Sequence, residues 1–194
     1  SSSNPEIAKP LRLTDCSLIT DGAAALVLTT NENSKSFPRS VSIRAATHIS
    51  DFLPMSSRDF LAFEGPEQAL TKAIGSAGIA LENIDFAEVH DCFTIAELLI
   101  YEAMGLTPKG QGARALEEGI VYREGALPVN LSGGLKAKGH PVGATGVSMY
   151  VQAYRQLTDQ AGDIQKPGAN LGLVFNMGGA AVANYASILE AQKS

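Results

Sequence analysis

The 194-residue sequence has no tryptophan, only two cysteines and three histidines, and an aromatic fraction of 6%. Cys16 and Cys92 lie far apart without CxxC or CxxH spacing, which excludes a zinc knuckle and gives no disulfide framework. Positive charge is also scarce. Fifteen basic against twenty acidic residues leave a net charge of −5, without the basic excess that binding to a phosphate backbone demands, so nucleic acid is not an expected partner. No apolar run approaches the roughly 18 to 20 residues of a membrane span. The opening Ser1-Ser2-Ser3-Asn4-Pro5 lacks the basic and apolar regions of a signal peptide, and the closing Gln192-Lys193-Ser194 is not a peroxisomal Ser-Lys-Leu address. The expectation is a soluble, intracellular protein with no membrane association, cytoplasmic by default, with peroxisomal or mitochondrial location left open. What the chain does have is 45% hydrophobic residues and 19 glycines, enough to bury a core and turn tight corners. Its length falls between one domain and two, given typical domains of roughly 100 to 150 residues.

Residues 22–30 form a continuous apolar run, the pattern of a strand buried on both faces. The polar stretch 31–38, closed by Pro38, predicts a linker and a domain boundary. Residues 41–49 alternate as a strand, and after Glu64-Gly65-Pro66 the positions Leu70, Ala73, Ile74 and Ala77 mark one helical face that stops at Gly78. A strand over 84–89 runs into His90-Asp91-Cys92-Phe93, followed by a buried helix over 94–105. Residues 108–128 read as a long surface excursion, and Gly133-Gly134 as a turn. A helix face (Val147, Tyr150, Val151, Tyr154, Leu157) begins just after Gly139-His140-Pro141-Val142-Gly143, and two apolar runs around Met177-Gly178-Gly179 predict a hairpin. Strands alternating with helices before a terminal hairpin define an α/β layered sheet of mixed direction.

The chemistry-bearing residues gather at the corners. His90 ends a strand and His140 precedes a helix, so both imidazoles belong to the sheet edge where α/β proteins bind ligands. Cys92 lies two residues from His90. Imidazole N–H groups can hold a developing oxyanion, and a thiol of pKa ~8.5 can be tuned downward by a helix N-terminus or an imidazolium, a combination suited to an acyl carbonyl. Taken singly, a histidine at a turn is more often structural, a free cysteine more often a small buried hydrophobe, and a glycine pair more often just a turn. Residues 139–146 have the glycine density of a phosphate loop but lack its Lys-Ser/Thr ending, so a nucleotide loop is not supported.

In combination and order these motifs resemble the C-terminal half of thiolases, and within them the sterol-carrier-protein type. Gly139-His140-Pro141 with Val142-Gly143-Ala144-Thr145-Gly146 is similar to the family's histidine loop. His90-Asp91-Cys92-Phe93 is similar to the subgroup's signature, Asn130 to Gly134 to the Asn-x-x-Gly-Gly segment, and Leu11-Arg12-Leu13 with Asp21 to Ala25 to the stretch closing the N-terminal half. The resemblance implies a C-terminal thiolase domain over residues 38–194 with a mixed five-stranded sheet covered by helices, preceded over 1–37 by the end of the N-terminal domain and a linker. It implies thiolytic cleavage of a 3-oxoacyl-CoA or the reverse Claisen condensation. His140 would line an oxyanion hole and help activate a nucleophilic cysteine, His90 would donate to the thioester oxygen, and Cys92 would be the acid and base. Asn130, Gly133, Gly139, Gly143, Asn176 and Gly178 would support the oxyanion and substrate loops. Coenzyme A and acyl-CoA would come as substrates, with no permanently bound cofactor and no metal. The acid/base turn common in the family reads Asn176-Met177-Gly178 here, without sulfur, and nothing resembles the loop of the nucleophilic cysteine. Cys16 stands in the wrong context to replace it. The expected partner is therefore an N-terminal half, on the same chain or another, in a homodimer. A thiolase-like aldolase acting on 3-hydroxyacyl-CoA and a non-catalytic CoA-thioester-binding or scaffold subunit are the competing readings.

Overall fold

The computed structural model describes residues 3–192, so Ser1, Ser2 and the Lys193-Ser194 of the terminal tripeptide lie outside the described residues. Its centre is a four-stranded sheet of order β3-β6-β5-β4, built from β3 (Val41–Ser50), β4 (Phe86–Val89), β5 (Leu171–Gly178) and β6 (Ala183–Ala191). The expected hairpin is the antiparallel β5–β6 pair, β3 joins β6 antiparallel, and β4 runs parallel to β5. Four strands form where five were expected, and on the outer side of β4 a single residue, Val129, bridges Ala87. Pro128, with no N–H, and Asn130, at φ +53°, end the pairing on either side.

Each face of the sheet buries its own layer, because side chains alternate along a strand. Ala87, Val89, Leu173, Phe175, Met177, Ala186 and Ile188 form one cluster with α2 (Glu64–Ala77) and α3 (Thr94–Met104). On the other face Phe86, Val174 and Leu189 meet Met149, Ala153 and Leu157 of α6 (Thr145–Leu157). α2 follows its sequence pattern, burying Pro66, Ala69, Leu70, Ala73 and Ala77. In β3 a bulge between Ile43 and Ala45 resets the alternation, leaving Ile43 51% exposed while Ala45 is buried.

Several local expectations are corrected. Residues 22–30 form no strand: among the described residues no β-pairing reaches the run, and Val27 and Leu28 are 88% and 77% exposed. The stretch expected as a linker, 31–38, contains a single helical turn, α1 (Asn31–Ser34), started by the Thr30 hydroxyl accepting from Asn33 N–H. Before it, β1 (Glu6–Ala8) and β2 (Leu11–Arg12) make a separate small hairpin. The 108–128 excursion carries a short helix, α4 (Arg114–Glu117), with Ala115 in the core. Gly133-Gly134 opens another, α5 (Gly134–Lys138). The β5–β6 connection uses more than a glycine pair: Gly179, Ala180 and Ala181 are all left-handed, at φ +61°, +54° and +64°. Arg58 Nη1 and Asn184 Nδ2 hold this unusual turn by donating to the Ala180 and Ala181 carbonyls at 3.0 and 2.9 Å.

The tightest size match in the sheet is Phe86 over Gly172, its register partner; a Cβ at 172 would fall 2.4 Å from Phe86 Cζ. Gly172→Ala is expected to cost about 1–3 kcal/mol by overpacking. Urea denaturation should show part of that loss recovered in the Phe86→Leu/Gly172→Ala double variant.

Candidate functional site

Strand register places the first pair of functional groups. Val89 of β4 sits beside Phe175 of β5 in parallel register, so His90 and Asn176 emerge together where the strands end. Their side chains meet, His90 Nδ1 lying 2.6 Å from Asn176 Oδ1. An amide oxygen only accepts, so His90 Nδ1 carries the hydrogen and Nε2 presents its lone pair when the ring is neutral. His90 is 7% exposed. Burial lowers its pKa, an effect the Asn176 bond opposes and the neighbouring His140 reinforces.

His140 arrives from the loop between α5 and α6. Its ring stands edge-on to that of His90, centroids 5.1 Å apart at 83°. His140 Nδ1 lies 2.7 Å from Thr145 Oγ1, and that hydroxyl donates to the Pro141 carbonyl at 3.0 Å. The hydroxyl hydrogen is thereby used, so His140 also carries its proton on Nδ1 and leaves Nε2 bare. Burial lowers the His140 pKa too, against the attraction of Asp91. The two rings therefore present Nε2 atoms able to accept protons, and each becomes a donor there once protonated.

Cys92 occupies the corner between β4 and α3, half-buried. The expectation of a lowered pKa is corrected: burial pushes the thiol up to about 11, and the Asp91 carboxylate adds to the rise, outweighing the Phe93 backbone N–H at the start of α3. At neutral pH Cys92 is a protonated thiol, able to give a proton to carbon.

The supporting residues divide into those that build the corners and those that line open space. Asn130 accepts from Val89 N–H at 2.8 Å and donates to Glu97 Oε1 at 3.0 Å, tying the end of β4 to α3. Gly133, at φ +90°, precedes α5, and Gly139, at φ +99°, lies where a Cβ would be 2.8 Å from Thr20 Oγ1. At Gly143 and Gly178 a Cβ would meet nothing within 4 Å. Gly143 lines a groove of about 470 Å³ between residues 20–24 and the start of α6, next to His140 in the chain. A larger groove of about 610 Å³ shares no residue with this region and is lined by Glu64, Glu67, Lys72 and Lys109, groups without acyl-transfer chemistry.

Three positions missing from the sequence-based set prove central to the geometry. Thr145 fixes His140. Asp91, 3% exposed, accepts from the Leu135 and Lys136 N–H groups and anchors α5. Glu88, 1% exposed, accepts from Ser132 and faces Lys138 Nζ at 3.5 Å, with burial raising its pKa. Asp91 lies inside the His-Asp-Cys-Phe motif and Thr145 inside the histidine loop, and both could have been read there; Glu88 carries no signal that distinguishes it from an ordinary strand residue. Among the described residues no group of three His, Cys, Asp or Glu is placed to hold a metal ion, and no helix is long and apolar enough to cross a membrane.

A mixed sheet flanked by helices, with two histidine corners, a thiol and glycine-rich loops at one edge, defines a domain of the thiolase-like class. Residues 47–191 match the family model described as thiolase C-terminal domain-like, and the chain belongs to that family. It is similar to an acetyl-CoA acetyltransferase of Methanothermobacter thermautotrophicus, 40% identical over 175 residues that cover 89% of this chain and 46% of the relative. It is also similar to sterol carrier protein 2 of Oryctolagus cuniculus, 37% identical over 182 residues covering 89% and 33%. Among solved structures, one titled "Ltp2-ChsH2(DUF35) aldolase" shares the fold with a TM-score of 0.78 at 21% identity, covering 100% of this chain and 50% of that one. The chain thus spans about half or less of the length of the curated relatives it matches.

Two outcomes follow from the histidine geometry. Because His90 binds a proton less readily when folded, the unfolded chain takes up more protons as pH falls through its ordinary value near 6.5. Stability is therefore full above that pH and lost as pH drops toward the folded-state value. Urea midpoints from about pH 7 to pH 5 should show a shallower decline in His90→Asn, which keeps a donor toward Asn176, than in the parent. Thr145→Val leaves His140 Nδ1–H without its acceptor and is expected to cost roughly 1–3 kcal/mol, with nitrogen NMR showing a larger Nε2–H population; Thr145→Ser should preserve the parent tautomer.

Proposed function

We propose that this chain is the C-terminal half of an acyl-CoA C-acyltransferase of the thiolase type, cleaving 3-oxoacyl-CoA with free CoA or running the reverse condensation. The observation that carries the reading is the meeting of His90 and His140 at 5.1 Å on the same sheet edge as Cys92. A nucleophilic cysteine comes from an N-terminal half, in the same polypeptide or a separate one, within a homodimer located in the cytoplasm. Acyl-CoA and CoA are substrates, and no cofactor stays bound.

In the cleavage direction the nucleophilic thiol loses its proton to a bare imidazole Nε2, His140 being the one aimed by Thr145, and its sulfur attacks the 3-oxo carbon. The bond between C2 and C3 breaks, and its electron pair forms the enolate of the departing thioester. The proton passes from His140 to Nε2 of the adjacent His90 ring, which then donates to the enolate oxygen, a charge-localising contact of a kind worth roughly 3–4 kcal/mol in other enzymes. Cys92 then gives its proton to the enolate carbon, completing the departing thioester; its thiolate takes the proton of the CoA thiol as that sulfur attacks the acyl group, and the freed nucleophile recovers its own proton from the imidazolium. Burial holds the Cys92 thiol in its protonated form at rest, which is the form that protonates the enolate.

The exposed Val27 and Leu28 support a partner half, since an apolar run left in solvent is the kind of surface a partner covers. Intact mass spectrometry of natively purified material should find a second chain bearing the nucleophile, or one chain about twice this length. With 3-oxoacyl-CoA and CoA, Cys92→Ser in the assembled enzyme should lower kcat by about 100-fold or more. Undiminished turnover in that variant sinks the role of Cys92, and cleavage of 3-hydroxyacyl-CoA in place of the 3-oxo substrate moves the assignment to an aldolase.

A further inference from the structure

Residues 14–20 cross both functional corners without being buried there. Leu18 and Ile19 are 66% and 85% exposed, yet Cys16 bridges Phe93 and Ile19 bridges His140. Ser17 N–H donates to the Cys92 carbonyl at 2.8 Å, and Thr94 Oγ1 donates to Asp15 Oδ1 at 3.2 Å. Polar contacts, not apolar packing, keep this segment against the site.

The charged member of those contacts is Lys136, whose ammonium donates to the carbonyls of Thr14 and Cys16. Its own backbone is fixed from the opposite side by Asp91, which accepts from Leu135 N–H at 2.7 Å and Lys136 N–H at 3.3 Å. The approach is so close that a Cβ on the adjoining Gly134 would fall 2.2 Å from Asp91 Oδ2. The connections close a ring: from Asp91 to the backbone of α5, along the Lys136 side chain to Cys16, from Ser17 to the Cys92 carbonyl, and back through one peptide to Asp91.

We propose that Lys136 is a positioning residue for this site, its ammonium pinning residues 14–20 across the Cys92 and His140 corners so that the thiol stays shielded from water and the histidine loop stays in register. Its catalytic consequence rests on the thiolase reading, whereas its physical consequence does not. Charged donors bind carbonyl oxygens more strongly than neutral ones, and Lys136 is the charged donor among the contacts that hold residues 14–20.

The test uses the assembled protein and reads Cys92 directly, by peptide mass spectrometry after timed iodoacetamide treatment across a pH series. The groups acting on that thiol are the Asp91 carboxylate, the Cys16 thiol and the backbone N–H groups of Cys92 and Phe93. Lys136→Met is expected to let water reach the thiol, lowering its apparent pKa by about one unit and raising alkylation at pH 8 about tenfold. Amide hydrogen exchange over residues 16–20 should accelerate in the same variant. Lys136→Arg, a charged donor of similar reach, should behave as the parent, and Lys136→Gln, carried alongside in case the methionine variant does not fold, should give an intermediate acceleration. A folded Lys136→Met or Lys136→Gln protein that melts earlier but shows unchanged alkylation and exchange overturns the inference, leaving Lys136 a stabiliser only. Failure of the parent enzyme to transfer acyl groups would overturn the thiolase reading instead, with the alkylation and exchange results still deciding the role of Lys136.

Discussion

The parallel pairing of β4 with β5 is the constraint on which the site depends. Register in a sheet is all or nothing: a slip of one residue turns every side chain to the opposite face. Here that slip would separate His90 from Asn176 and move Phe86 off Gly172 at the same time. The steric match at one end of the strand pair therefore protects the hydrogen bond at the other. Both faces of the sheet are buried, so both clusters oppose the slip.

Around that pair the protein spends little charge. Two neutral imidazoles, a protonated thiol and carbonyl or amide partners make a site that is close to uncharged at rest, with Asp91 turned onto backbone N–H groups. Proton acceptors and a proton donor thus coexist without an ion pair to break. Separating the directions in which pKa values move is how one fold assigns acid and base roles, and here burial moves the rings down and the thiol up.

The sheet strands, the three long helices and the two histidine corners are legible in the sequence, because their periodicities and turn residues act locally. Residues 41–49, the α2 face from Leu70 to Ala77 and the β5–β6 hairpin fall where their patterns put them. What escapes a reading of the sequence depends on distant partners. Residues 22–30 have the composition of a buried strand, but composition carries no information on whether an edge is available to pair with. The thiol of Cys92 departs from expectation because burial, which no spacing reveals, outweighs its place before a helix. Asp91 acts through two backbone N–H groups of α5 that only the fold brings near, and Thr145 through hydrogen bonds to His140 and Pro141 whose geometry the start of α6 sets. The glycines look alike as letters, yet of the four at the site only Gly133 and Gly139 adopt the backbone conformation that calls for glycine, while Gly143 and Gly178 border open space.

The sheet order also fixes a timetable. β3 borders β6, and the bond from the Ser42 hydroxyl to the Glu190 carbonyl joins residues 148 positions apart. During synthesis at roughly 5 to 20 residues per second, β3 leaves the ribosome on the order of 10 seconds before the strand that completes it. For that interval its backbone donors and acceptors face solvent and any neighbouring chain, with α2 the first element able to cover it. The central strand β5 likewise follows both histidine corners in the chain, so these exist as sequence before they exist as a site. Until both β5 and β6 have emerged the sheet edge that carries the two corners cannot form, and β3 stays open to wrong strand pairing throughout that interval.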